Sequence, residues 1–261
     1  MKKPSRLSYA YAVGRIRVLE RRLVPSAVFR EAAEKREFSP ALKAIFDAGN
    51  FEEEMVTVQN SDELDRYLER EEEEILHLMR ELILEEDILA IIGGESQPER
   101  VLSLAERLDY SFIRDYLRYR IDLGNIKILL RAKYSGLSFV KYKNLLMRGG
   151  FLEERMFLEI YDQAYSEIGE RLRVSPYVDL WNQAIEELQE NETFVPLERG
   201  IEDFLMAYLK KAKYIVFGPE PIFSYALAKR RELSLVRLVV GGKLLRIPSS
   251  LIKKRISETY V

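Results

Sequence analysis

Cysteine is absent from the 261-residue chain, which removes disulfides, thiolate nucleophiles and cysteine-ligated zinc or iron–sulfur centres together. Histidine occurs once, at His77, so metal sites built on several imidazoles go too. Long apolar runs are also missing. The longest candidates, Ile88 to Ile92 and Leu235 to Val240, fall far short of the ~20 residues a helix needs to cross a bilayer. The chain begins Met1-Lys2-Lys3, but Arg15 and Arg17 interrupt the apolar stretch a secretory signal requires, so a cytoplasmic protein is expected. What is plentiful is apolar and charged surface. Hydrophobic residues make up 47% and charged residues 32%, with 41 basic side chains against 43 acidic ones, enough apolar matter to offset chain entropy and exclude disorder for most of the chain.

The dominant periodicity is helical. Leu64, Leu68, Ile75, Leu78, Met79, Leu82 and Ile83 recur at spacings of three, four or seven, with Glu69 to Glu74 assigned to the solvent faces and Ser61 to Glu63 to the capping first turn. The same reading predicts helices over 9–23, 26–36, 39–47, 97–107, 110–134, 139–147, 151–171, 177–190, 197–213, 219–230 and 248–258. Gly and Pro breakers such as Pro25, Gly93-Gly94, Gly149-Gly150, Pro176 and Gly218-Pro219 separate them. With no sustained period-two stretch, the expected class is all-α. The β-branched run from Leu233 to Val240 is the one segment whose propensity also fits a strand.

A repeat emerges at a constant offset. Val13-Gly14-Arg15-Ile16-Arg17-Val18-Leu19 aligns without gaps to Leu123–Leu129, and that segment, by the same step, to Leu233–Val239, so that Arg17, Lys127 and Arg237 share a column. Net charge alternates along the chain: +6 over 1–24, −12 over 51–90, +6 over 111–155, −7 over 156–223 and +7 over 224–261. Basic helices of this kind either pair with the acidic ones intramolecularly or face an acidic partner and steer its docking.

Catalytic and ligand motifs are sparse. Glu74 and His77 have the E-x-x-H spacing of di-iron helical bundles, but a second such pair is impossible with one histidine; His77 is expected as a helix-face residue beside Leu76 and Met79. A Ser-His-Asp triad would need the same His77, in the middle of an acidic helix. Neither G-x-G-x-x-G nor G-x-x-x-x-G-K-[ST] occurs, so nucleotide binding has no basis in the sequence. The carboxylate runs lie in highly charged stretches with nothing to raise a pKa into the catalytic range. A pI near 5.8 argues against a dedicated nucleic-acid binder. Neither an enzyme nor a cofactor or metal is expected.

Three segments carry the remaining signal. They are Leu7–Arg17; Tyr119–Lys133, continuing to Gly149-Gly150, with the pattern D-x-x-N-[IL]-K-x-[IL]-[IL]-R-x-K; and Gly218-Pro219-Glu220-Pro221 through Leu233 to the terminal Tyr260-Val261. In this order the chain resembles the C subunit of the prokaryotic A/V-type rotary ATPases, the family that includes the eukaryotic V-type d subunit. The resemblance implies an all-helical, funnel-like or wedge-like subunit of repeated modules, here near 1–110 and 111–220 with a closing segment 221–261. Three such helices and two intervals are counted, where usual members have four and three. It implies a non-catalytic rotor part, peripheral at the cytoplasmic face of a membrane without direct insertion. Its partners would be the central shaft and the proteolipid ring, with no nucleic acid. The residues marked for a partner interface or a module junction are Arg15, Arg17, Asp122, Asn125, Lys127, Arg131, Lys133, Gly149, Gly150, Glu232 and Arg237. Asp122 and Asn125 are open to a second role, fixing helix packing through buried hydrogen bonds. The alternative function is a helical adaptor that binds nucleic acid or an anionic membrane through its basic strips.

Overall fold

The computed structural model describes residues 4–94 and 98–261, and among these residues the chain is helical with no strand. None of the described helices is long and apolar enough to cross a membrane. By compactness the chain divides into two units, Met1–Gly93 with Met206–Val261, and Gly94–Leu205.

The first unit starts with a 3-10 turn (Arg6–Tyr9) and continues through α1 (Ala10–Glu20), α2 (Ser26–Glu34), α3 (Phe38–Ala48), a 3-10 turn (Glu53–Thr57), α4 (Ser61–Leu82) and α5 (Glu86–Gly93). The second unit holds α6 (Pro98–Arg107), α7 (Ser111–Tyr134), α8 (Phe139–Lys143), α9 (Glu154–Ile160), α10 (Tyr165–Leu172) and α11 (Val178–Asn191); the division falls within α12 (Val195–Lys210). The chain then returns to the first unit with a 3-10 turn (Lys211–Tyr214), α13 (Glu220–Val236), a π-helical turn (Arg237–Gly241), α14 (Gly242–Leu244) and α15 (Ser249–Arg255).

Helix α4 shows how the sequence builds an element. Asn60 is its cap: the side chain accepts the Glu63 N–H at 2.9 Å, and the Glu63 carboxylate reaches back to the Gln59 N–H at 2.7 Å, one residue upstream of the start expected at Ser61. Leu64, Leu68, Ile75, Met79 and Leu82 are buried as their spacing predicts. Glu71 corrects the expected solvent face, because position 71 lies seven residues after Leu64 and four before Ile75, squarely on the buried stripe. It is tolerated there because the Tyr67 hydroxyl donates to it.

One expected element comes out differently. The helix predicted over 151–171 is broken between α9 and α10, where long-range donors take its carbonyls. The Tyr142 hydroxyl bonds the Phe157 carbonyl at 3.1 Å, and the Lys133 ammonium bonds those of Tyr161 and Gln163 at 2.6 and 2.8 Å. The β-branched run 233–240 is helical, the end of α13 passing into the π turn. Propensity yields to burial here, since α13 is the spine of the first unit, packed against α1 and α4 and buried over most of its length. The short apolar run at Ile88–Ile92, not read as an element from the sequence, forms α5. Past α15, Ile256, Ser257, Thr259 and Tyr260 are buried; the Tyr260 hydroxyl donates to Glu20 at 3.0 Å and the Lys213 ammonium lies 4.7 Å from the centre of the Tyr260 ring.

Candidate functional site

Helix α7 carries the D-x-x-N segment into the second unit, where both side chains are fully buried. Asp122 accepts three hydrogen bonds, from the backbone N–H groups of Phe151 (3.0 Å) and Leu152 (3.1 Å) and from the Tyr177 hydroxyl (2.6 Å). One helical turn on, the Asn125 amide pairs with the Met147 backbone in both directions, donating to its carbonyl at 2.8 Å and accepting its N–H at 2.9 Å. The two side chains thus clamp the returning segment 147–152 onto α7. Glycine is demanded at both turns of that segment. Gly149 has φ +96°, and a Cβ on Gly150 would lie 1.9 Å from an Asp122 carboxylate oxygen. Tyr119, Phe151, Tyr177 and Phe204 pack as an aromatic cluster with ring centroids 4.7–6.5 Å apart. Burial pushes the Asp122 carboxyl above its ordinary range, against the pull of Tyr177 and the two N–H groups. Burial and the Asp122 charge push the Tyr177 hydroxyl up as well.

A second clamp stands one repeat later, in the column of Asp122. Glu232 on α13 is buried, accepts the Val24 N–H at 2.5 Å and pairs with the buried Lys229 ammonium. Lys229 lies 4.2 Å from the centre of the Phe51 ring, in the loop that follows α3. Burial pushes the Glu232 carboxyl up while Lys229 and the Val24 N–H oppose it. In each unit, therefore, a buried carboxylate of the repeated helix ties down the backbone of a returning segment. Tyr67 and Tyr177 also share a column of the repeat, both buried and both donating to a carboxylate. No motif marks these tyrosines in the sequence; the signal that could have found them is the repeat itself, extended column by column, whereas Lys229 stands in a column with Tyr119 and Tyr9 and is not found that way.

The marked basic residues are engaged within their own units. Arg17 bonds Glu20 and the carbonyls of Ala212 and Ile215 at 2.8–2.9 Å, and Arg237 bonds Asp65 at 3.0 Å. Lys127 and Arg131 meet on Glu198 at 3.1 and 2.7 Å, while Arg15 reaches Glu81 at 3.0 Å. Lys133 spans the break after α9, its ammonium pushed down by burial. The repeated basic column is thus an intramolecular pairing column, and the nucleic-acid adaptor is not favoured. His77 stands exposed beside Glu81 at 3.4 Å and is not packed. The geometry serves holding and aligning, with Asp122 and Glu232 each met by more than one donor.

The sequence profile of the ATP synthase (C/AC39) subunit family matches residues 98–255, a stretch that includes the whole Asp122 clamp and Glu232. The chain belongs to this family. It is 25% identical over 147 residues to the A-type ATP synthase C subunit of Halobacterium salinarum, covering 56% of this chain and 42% of that protein. To the A-type ATP synthase C subunit of Haloferax volcanii it is 29% identical over 133 residues (50% and 37%). To the V-type sodium ATPase C subunit of Enterococcus hirae it is 26% identical over 157 residues (60% and 47%). The matched region spans less than half the length of each of these family relatives.

Proposed function

We propose that the chain is a non-catalytic rotor subunit of an A/V-type ATPase. It links the central shaft to the membrane proteolipid ring and passes torque between ATP hydrolysis or synthesis and the translocation of protons or sodium ions. On this reading it is peripheral at the cytoplasmic face of the membrane, without inserting into it. The observation that carries the reading is the family match over 98–255, which includes the clamp of α7 and all of α13. The clamps suit a mechanical role, because close-packed helices whose returning segments are tied by buried charge-assisted bonds resist deformation and transmit strain. The modular division near residues 110 and 220, with 221–261 as a closing segment, is part of the same proposal. It is supported by the carboxylates at 122 and 232 and the tyrosines at 67 and 177. Co-purification of the tagged chain with shaft and ring subunits is the expected result; recovery of neither overturns the proposal.

A further inference from the structure

The outer face of α1 is apolar and bare. Tyr11, Gly14 and Val18 recur at spacings of three and four, which places them on one stripe of α1, preceded by Leu7 in the 3-10 turn, while Tyr9, Ala12, Val13 and Ile16 are buried. Leu7 is 65% exposed, Tyr11 79% and Val18 58%; a Cβ on Gly14 would meet nothing within 4 Å. An apolar stripe on a helix normally faces a surface that covers it. The repeat supplies the comparison, because Leu117, Ile121 and Gly124 of α7 stand in the columns of Leu7, Tyr11 and Gly14. On α7 these columns are hidden. Leu117 and Ile121 are buried, and Met147 presses on Gly124 so closely that a Cβ there would sit 2.3 Å from its terminal methyl.

We infer that the stripe from Leu7 along α1 to Val18 is a docking face for an acidic amphipathic helix of a partner protein. Charge selects the occupant. Arg6, Arg15 and Arg17 are held by Glu220, Glu81 and Glu20, which leaves the charge at the end of the stripe to Arg21 and Arg22, the latter bonded to the neutral Asn50 side chain, so an apolar ridge with carboxylates towards that end complements it. A second copy of the chain would set these arginines against themselves across a two-fold interface. An anionic bilayer would meet the charges but has no ridge for the notch at Gly14, which on α7 is the place a packed side chain enters. The inference does not require the partner to be a rotary ATPase subunit.

The test uses the full chain and a synthetic helical peptide of about 18 residues, with leucines at i, i+4, i+7 and i+11 and glutamates on both borders. Fluorescence anisotropy is expected to show binding that weakens with added salt, and no binding of the same peptide with lysine borders. Tyr11→Asp and Gly14→Leu are expected to weaken binding at least about tenfold while the thermal melt shows an intact fold. The paired charge change Arg21→Glu with Arg22→Glu should do the same and keeps the test open if either stripe variant melts early. Equal binding of the lysine peptide, or undiminished binding by Tyr11→Asp, overturns the inference. So does Tyr11-dependent uptake by phosphatidylserine vesicles, or Tyr11-dependent dimerisation in sedimentation, in the absence of glutamate-peptide binding. Recovery of ring and shaft without peptide binding would sink this inference alone; peptide binding without those subunits would sink only the rotary reading.

Discussion

Asp122 concentrates the stabilising chemistry of the second unit in one side chain. Asp122→Ala leaves two backbone N–H groups and the Tyr177 hydroxyl without their acceptor, and the expected loss is at least about 2 kcal/mol in a denaturant titration. The pH dependence has a definite sign. Burial raises the folded carboxyl above its ordinary 3.8, so the folded state keeps a proton that the unfolded state releases. That contribution is complete below the unfolded value and is lost as pH rises through the folded one. The stability difference between wild type and Asp122→Asn is therefore expected to shrink as pH is raised from about 4 to about 7; a constant or growing difference contradicts it. Two glycines separate space from conformation. Gly150→Ala must push a Cβ to within 1.9 Å of Asp122 and is expected to cost about 1–3 kcal/mol. Gly14→Ala enters open space in a helix and is expected to add up to about 1 kcal/mol.

Helix ends in this chain are set as much by distant donors as by local sequence. Lys133 satisfies the carbonyls of Tyr161 and Gln163 from the last turn of α7, and Lys133→Met is expected to remove about 1–2 kcal/mol and to speed amide hydrogen exchange around residues 161–164. The apolar spacing over 151–171 is helical throughout, which is why the sequence reads as one element; donors 15 and 28 positions upstream, Tyr142 and Lys133, explain the break. Charged pairs on the open faces matter less. Lys127, Arg131 and Glu198 are all partly exposed, so Glu198→Gln is expected to change stability by less than about 1 kcal/mol.

At the scale of the molecule, the first unit is discontinuous, and α13 is its spine although it lies more than a hundred residues beyond α5 in the chain. The Val24–Glu232 bond closes a separation of 208 residues, and Tyr260 meets Glu20 across 240. Ending the chain after Leu205 is accordingly expected to abolish the cooperative melt of the first unit, because α1 and α4 lose the helix they pack on. Retention of native helicity and a full melting amplitude by that truncation would contradict the division.

The all-helical class and the reach of α4 and α7 were legible because a 3.6-residue apolar period is a local signal; Asp122 and Asn125 stand in one motif, but what their side chains hold is decided by the segment that returns onto α7. Which carboxylates are buried was not legible. Glu71 and Glu232 look like their exposed neighbours until their donors are seen, Tyr67 on the first and Lys229 and the Val24 N–H on the second. Nor could the sequence separate basic side chains that pair at home from a stripe that stays bare, because pairing depends on which helix lies alongside. Periodicity acts through neighbours three and four residues away; the partners of a buried charge are chosen by packing across the whole chain, where the cost of leaving it unpaired exceeds any local preference.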